Sequence, residues 1–150
     1  MLAIGTRAPA FTTTDGEGEE VTLAGLLESG PFVLYFYPAD FTPGCTKQAC
    51  MIRDLYPELT TAGIRVFGVS RQGTSSHQAF REKYRLPFRL LCDPDWALAG
   101  LYGAQGVMGM TKRISYYITQ DGRIGDHEKS MIRVQRHTDF IHRVLARPKA

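Results

Sequence analysis

Apolar positions along the chain follow two different periods. Phe32-Val33-Leu34-Tyr35-Phe36-Tyr37 is a continuous apolar run bounded by Pro31 and Pro38, the pattern of a strand buried on both faces. Residues 64–69 and 88–91 repeat it more briefly. Between these runs lie helical stretches, at about residues 43–61 and 75–84. The first ends at Ala62-Gly63, a C-cap glycine. Asp93-Pro94-Asp95 opens a third stretch that runs through Leu101 and stops at Gly100 or Gly103. Toward the N-terminus, residues 11–14 and 21–23 flank Asp15-Gly16 as a hairpin with a loose turn. A second hairpin pairs residues 114–118 with 123–126 around Asp121-Gly122. The chain closes with an amphipathic helix whose stripe is Val134, Thr138, Ile141 and Leu145, widened by Val144.

Strands alternating with helices predict an α/β fold. The order is β-α-β, then an insertion, then β-β-α. That is the thioredoxin-like pattern: a central mixed sheet flanked by helices, here with an N-terminal β-hairpin extension. Residues 1–150 form one domain in this reading, since 150 residues suffice for a single core.

Composition narrows the function classes. With 43% hydrophobic residues and a net charge of only +3, the chain is not of the disordered type, and the charge is too small to argue for nucleic acid or a membrane surface. No run approaches the ~18 consecutive apolar residues of a membrane span. The start, Met1-Leu2-Ala3-Ile4-Gly5-Thr6-Arg7, lacks a basic leader followed by a long apolar region, so no signal peptide is expected and a cytoplasmic location is. Three cysteines are too few for a disulfide scaffold, and an odd number cannot all pair within the chain.

Two of the three lie in Tyr37-Pro38-Ala39-Asp40-Phe41-Thr42-Pro43-Gly44-Cys45-Thr46-Lys47-Gln48-Ala49-Cys50, where a buried strand hands over to a helix. Open α/β sheets place their sites at such carboxyl ends. Thr42 suits the N-cap and Pro43 the first helical position, which puts Cys45 at the third. There the unpaired backbone N–H groups and the positive end of the helix dipole favour a thiolate. Gly44 is expected to leave room for a small substrate. An ordinary buried thiol is the alternative, and the capped helix start, the adjacent glycine and the nearby second cysteine count against it. On an intact helix Cys45 and Cys50 lie ~7.5 Å apart along the axis and ~140° apart around it, which separates their Cα atoms by ~8.6 Å. A disulfide needs ~7 Å or less. Either the pair never bonds, or the first turns unwind to let it. Zinc is a weaker reading, because neither a nearby histidine nor a second cysteine pair completes a ligand set.

Pro38-x-x-x-Thr42-x-x-Cys45 resembles the active-site motif of the peroxiredoxins. The wider Phe36-Tyr37-Pro38, Thr42-Pro43-Gly44-Cys45-Thr46-x-Gln48-Ala49-Cys50 and Arg53-Asp54 are similar to the peroxiredoxin Q, or bacterioferritin comigratory protein, group. The resemblance extends from about Gly5 to the terminal helix. It implies a thioredoxin fold and reduction of hydrogen peroxide and alkyl hydroperoxides without a metal or organic cofactor. It makes Cys45 the peroxidatic and Cys50 the resolving cysteine, with thioredoxin or a similar dithiol as reductant. Thr42 would hold the peroxide by its hydroxyl, and Pro38 would shield the thiolate from water. Arg113, in Lys112-Arg113-Ile114-Ser115-Tyr116-Tyr117-Ile118, matches the family's arginine. A monomer is implied. Two features depart from the pattern: Gln48 stands where many relatives have Glu, and residues 103–110 form a shorter stretch than in many members.

Two other classes compete with a peroxidase. A thiol–disulfide oxidoreductase on the same fold normally carries Cys-x-x-Cys, and here the spacing is five. A peroxide-sensing or chaperone-like module would oxidise once without turnover. Among the remaining residues, Cys92 reads as a core thiol at a strand end, with alternative resolving thiol as the minor reading. Asp93 and Asp95 read as helix caps, and His77, His127, His137 and His142 as solvated surface. Arg133, Arg136, Arg143, Arg147 and Lys149 give the C-terminus a basic face able to steer an acidic reductase.

Overall fold

The computed structural model describes residues 1–148. Strands β1 (Thr12–Thr14) and β2 (Glu20–Thr22) form the N-terminal hairpin, and helix α1 (Leu23–Leu27) follows. Strand β3 (Phe32–Phe36), helix α2 (Pro43–Thr61), strand β4 (Arg65–Ser70), helix α3 (Thr74–Tyr84), strand β5 (Arg89–Cys92) and the short helix α4 (Ala97–Leu101) make the alternating half. Strands β6 (Ile114–Ile118) and β7 (Ile124–Lys129) and helix α5 (Val134–Leu145) complete it.

The main sheet has the order β5-β4-β3-β6-β7, and the expected thioredoxin-like arrangement is present. Strand β3 is parallel to β4, and β4 to β5; β6 and β7 run antiparallel. Alternation along β3 builds two cores. Phe32, Leu34 and Phe36 face one side and pack with Phe67, Val69, Leu91, Ile114 and Tyr116. Val33, Tyr35 and Tyr37 face the other, with Ile52 and Ala49 of α2, Phe80 of α3 and Phe140 of α5. Because both faces are covered, β3 is apolar at every position, and its carboxyl end delivers the chain into α2 from the middle of the sheet.

Two boundaries, those of α1 and β7, differ from the sequence expectation. Leu23 begins α1 rather than ending a strand: the Thr22 hydroxyl caps the helix by accepting the Gly25 N–H at 3.0 Å. A five-residue helix with Gly25 at its centre is too short to show a helical period. Helix α4 starts at Ala97 with Asp93 capping it, as expected, by accepting the Leu98 and Ala99 N–H groups at 2.8 and 2.9 Å. Strand β7 runs on to Lys129, paired with Ile114 across a register shift at Tyr117/Ile118. Among the described residues, no helix is long and apolar enough to cross a membrane.

Candidate active site

Strand β3 ends in a loop pinned from below. The Asp40 side chain is fully buried and accepts hydrogen bonds from the Tyr37 hydroxyl at 2.5 Å and the Ser76 hydroxyl at 2.8 Å. Nδ1 of His77 faces it at 2.7 Å, while Nε2 of the same ring donates to the Leu91 carbonyl at 2.9 Å. A carboxylate beneath the loop is thereby tied to α3 and to β5, which offsets the cost of burying it. Phe41 takes a left-handed φ of +65° and lays its ring on Phe80, with centroids 5.1 Å apart. A non-glycine residue accepts that conformation only where its surroundings impose it. The loop therefore presents Thr42 and the start of α2 in a fixed pose.

Thr42 occupies the N-cap position with Pro43 next, as expected, but its hydroxyl makes no cap bond. It turns back and donates to the Ala39 carbonyl at 2.9 Å. The hydroxyl proton is thus engaged, which leaves the Thr42 oxygen free to accept. Cys45 is 1% exposed, and Cys50, one and a half turns further on, is half-buried. Both are free thiols on an uninterrupted helix, so this is the dithiol form. Pro38 is half-buried at the end of β3.

Arg113 precedes β6 by one residue and is 4% exposed. Its Nη1 donates to Gln48 Oε1 at 2.7 Å, and its Nε to the Met131 carbonyl at 3.1 Å. A methyl group built onto Gly44 would stand 3.1 Å from Nη2. The space above Gly44 is therefore not a substrate berth, as the sequence suggested. It seats the guanidinium, which reaches from Gly44 to Gln48 along the start of α2. Arg113 thus meets α2 at Gly44 and Gln48, on the turn that Thr42 precedes and that carries Cys45; Cys50 lies further along α2.

The histidines correct the sequence reading. His77 is 0% and His137 1% exposed, not solvated. The Ser115 hydroxyl pairs with Nδ1 of His137 at 2.9 Å, and Nε2 donates to the Ser130 carbonyl at 3.0 Å. Burial lowers its pKa from the ordinary 6.5, and the Arg113 cation adds to that. It braces the segment whose next carbonyl, that of Met131, holds Arg113. Asp40, Met131 and His137 thus join the site without having been singled out from sequence, while Gln48, noted there only as a departure from the family pattern, proves to be the arginine's acceptor. Cys92 is buried, as expected, with its thiol 3.8 Å from the Asp15 carbonyl it donates to. Burial pushes this thiol up, and the Asp15 and Asp40 carboxylates add to the effect. Among the described residues, no group of three or more His, Cys, Asp or Glu is arranged to hold a metal ion.

A thioredoxin-like sheet with a buried thiol at a helix N-terminus and an arginine seated over that helix start is the setting in which thiol-redox proteins are found. Residues 4–127 match the AhpC/TSA family. Peroxiredoxin Q, chloroplastic, of Suaeda salsa is 39% identical over 142 residues, covering 90% of this chain and 64% of that protein. The putative peroxiredoxin bcp of Coxiella burnetii is 45% identical over 102 residues, 68% of this chain and 67% of that one. The crystal structure of peroxidoxin BcpB from Mycobacterium tuberculosis superposes with a TM-score of 0.92 at 31% identity, covering all of both chains. A bacterioferritin comigratory protein of Xanthomonas campestris, described for its alkyl peroxide reduction activity, superposes at 0.81 with 27% identity over 90% of this chain and 89% of that one. The chain belongs to the AhpC/TSA family, within its peroxiredoxin Q and bacterioferritin comigratory protein group. It spans about two thirds of the length of the curated relatives named here.

Proposed function

We propose that the chain is a thiol-dependent peroxidase that reduces hydrogen peroxide and alkyl hydroperoxides. The observation that carries this is the buried Arg113 seated over the start of α2, against Gly44 and Gln48, on the turn that carries Cys45. The Cys45 thiolate attacks the terminal peroxide oxygen; an S–O bond forms as the O–O bond breaks. The departing alkoxide or hydroxide takes a proton and leaves as alcohol or water. Arg113 stabilises the charge that develops on it, and the Thr42 oxygen accepts the hydrogen bond of the incoming hydroperoxide. Pro38 shields the thiolate from water.

Cys50 then condenses with the Cys45 sulfenic acid, releasing water and forming the Cys45–Cys50 disulfide. Since an intact α2 keeps the two Cα atoms ~8.6 Å apart, the first turns must unwind for this step. Thioredoxin or a similar dithiol reduces the disulfide by exchange. The working unit is one domain, a monomer acting in the cytoplasm with no metal or organic cofactor.

Peroxide consumption coupled to thioredoxin, its reductase and NADPH tests the assignment. Wild type is expected to turn over. Cys45→Ser is expected to fall to the background of the coupling system, and Cys50→Ser to lose thioredoxin-dependent turnover while still forming a sulfenic acid. Full activity in Cys45→Ser would overturn the proposal. Insulin reduction without peroxide consumption would favour a thiol–disulfide oxidoreductase, and oxidation once without turnover a sensing or chaperone module.

A further inference from the structure

Asp40 and His77 meet with a hydrogen between them. Nε2 of His77 faces the Leu91 carbonyl at 2.9 Å, and a carbonyl can only accept. Nδ1 faces Asp40 Oδ2 at 2.7 Å, and that oxygen already accepts from the Ser76 hydroxyl. With a hydrogen on Nε2 alone, two lone pairs would oppose each other across 2.7 Å between two fully buried side chains. The hydrogen between ring and carboxylate removes that conflict. It also leaves the pair with no net charge to bury.

Strands β3, β4 and β5 and helix α3 are all tied at this point. Asp40 accepts from Tyr37 at the end of β3 and from Ser76 in the first turn of α3, and His77 reaches β5 through Leu91. The Asp40 N–H donates to Gln72 Oε1 at 3.1 Å, and the same oxygen accepts from the Ser70 hydroxyl of β4 at 2.6 Å. His77 has little room to withdraw, since a methyl built onto Gly16 would stand 3.0 Å from its Cβ. Beyond Asp40 the ties thin out. Phe41 holds its left-handed φ with a ring that is 43% exposed, and the Thr42 hydroxyl turns back onto the loop itself. Firmly held chain thus gives way to releasable chain at Phe41, whose backbone would relax to an ordinary φ on unwinding.

We propose that the Asp40–His77 pair is a latch, with His77 as a positioning residue, that holds residues 38–40 in place through both steps of the cycle and makes Phe41 the pivot about which the start of α2 unwinds. This rests on the peroxidase reading, but its first test uses no peroxide. Amide exchange is compared between the dithiol form and the form oxidised by diamide, a thiol oxidant. The Asp40 N–H is expected to stay protected in both, while residues 44–50 lose protection on oxidation. In His77→Leu the Asp40 N–H is expected to exchange about ten-fold faster, and His77→Asn, whose Nδ2 takes the place of Nδ1, to recover most of that loss. The second test separates the two steps. In a Cys50→Ser background His77→Leu is expected to slow sulfenic acid formation about ten-fold, because Pro38 and Thr42 lose their pose. With Cys50 present, condensation to the disulfide is expected to run at the wild-type rate or faster. Equal losses in both steps would mark a merely structural role and overturn the proposal. So would loss of Asp40 N–H protection when the wild type is oxidised, or protection kept in His77→Leu. Should His77→Leu fold poorly, Ser76→Ala removes one donor from the same carboxylate oxygen. It is expected to give the same split at about three-fold, and equal losses there overturn the proposal as well. The expected exchange pattern alongside absent peroxide turnover would sink the peroxidase reading and leave the latch standing.

Discussion

Cys45 and Cys92 are both buried, and both stand where the parallel strands of one sheet end, yet their surroundings are opposite. Cys45 lies in the first turn of α2, between the two residues, Gly44 and Gln48, that the Arg113 guanidinium touches. Cys92 closes β5 facing a carbonyl, with the carboxylates of Asp15 and Asp40 near enough to raise its pKa further. Burial alone penalises a thiolate at either place. On the proposed reading the sign of the local field, rather than depth in the core, separates the reactive thiol from the inert one.

The most drastic way to break this contrast is to remove each thiol. Cys45→Ser is expected to abolish peroxide consumption, and Cys92→Ser to leave it unchanged; equal losses would erase the distinction. Next comes the field itself. Arg113→Ala is expected to cost about 10²–10³ in the rate of peroxide reduction, as removal of a preorganised donor does, while leaving Cys92 alkylation unaffected. A finer perturbation is Gly44→Ala. Its methyl would press on Nη2 at 3.1 Å and displace the guanidinium by a few tenths of an ångström, with an expected loss of about ten-fold.

The smallest effect is one of pH. His137 braces the segment that holds Arg113, and its folded pKa lies below 6.5. The unfolded chain binds a proton near that value and the folded chain resists it. The stability His137 contributes is therefore full above about pH 6.5 and is lost as pH falls toward the folded value. Thermal unfolding followed from about pH 7.5 to about pH 5.5 is expected to show a shallower decline for His137→Gln than for wild type. An identical slope in the two would contradict the buried, neutral ring.

Local chemistry made much of the molecule legible from sequence. The apolar run of β3, the Thr42-Pro43 helix start and the Asp121-Gly122 turn each carry their signal within a few residues, and all three stand where the pattern put them. What was missed depends on partners far along the chain. His77 reads as surface until Asp40, 37 residues earlier, is folded beneath it. His137 likewise needs Ser115, 22 residues away. Gly44 looked like an opening because nothing nearby in sequence says that Arg113, arriving from β6, fills it. Helix α1 was lost to its own brevity.

The most direct test of the account is to treat the reduced protein with one equivalent of hydrogen peroxide and map every cysteine by peptide mass spectrometry. The expected product is a Cys45–Cys50 disulfide with Cys92 still a thiol. Oxidation of Cys92 in place of Cys45, or a Cys45 that remains a thiol while peroxide is consumed, would contradict it.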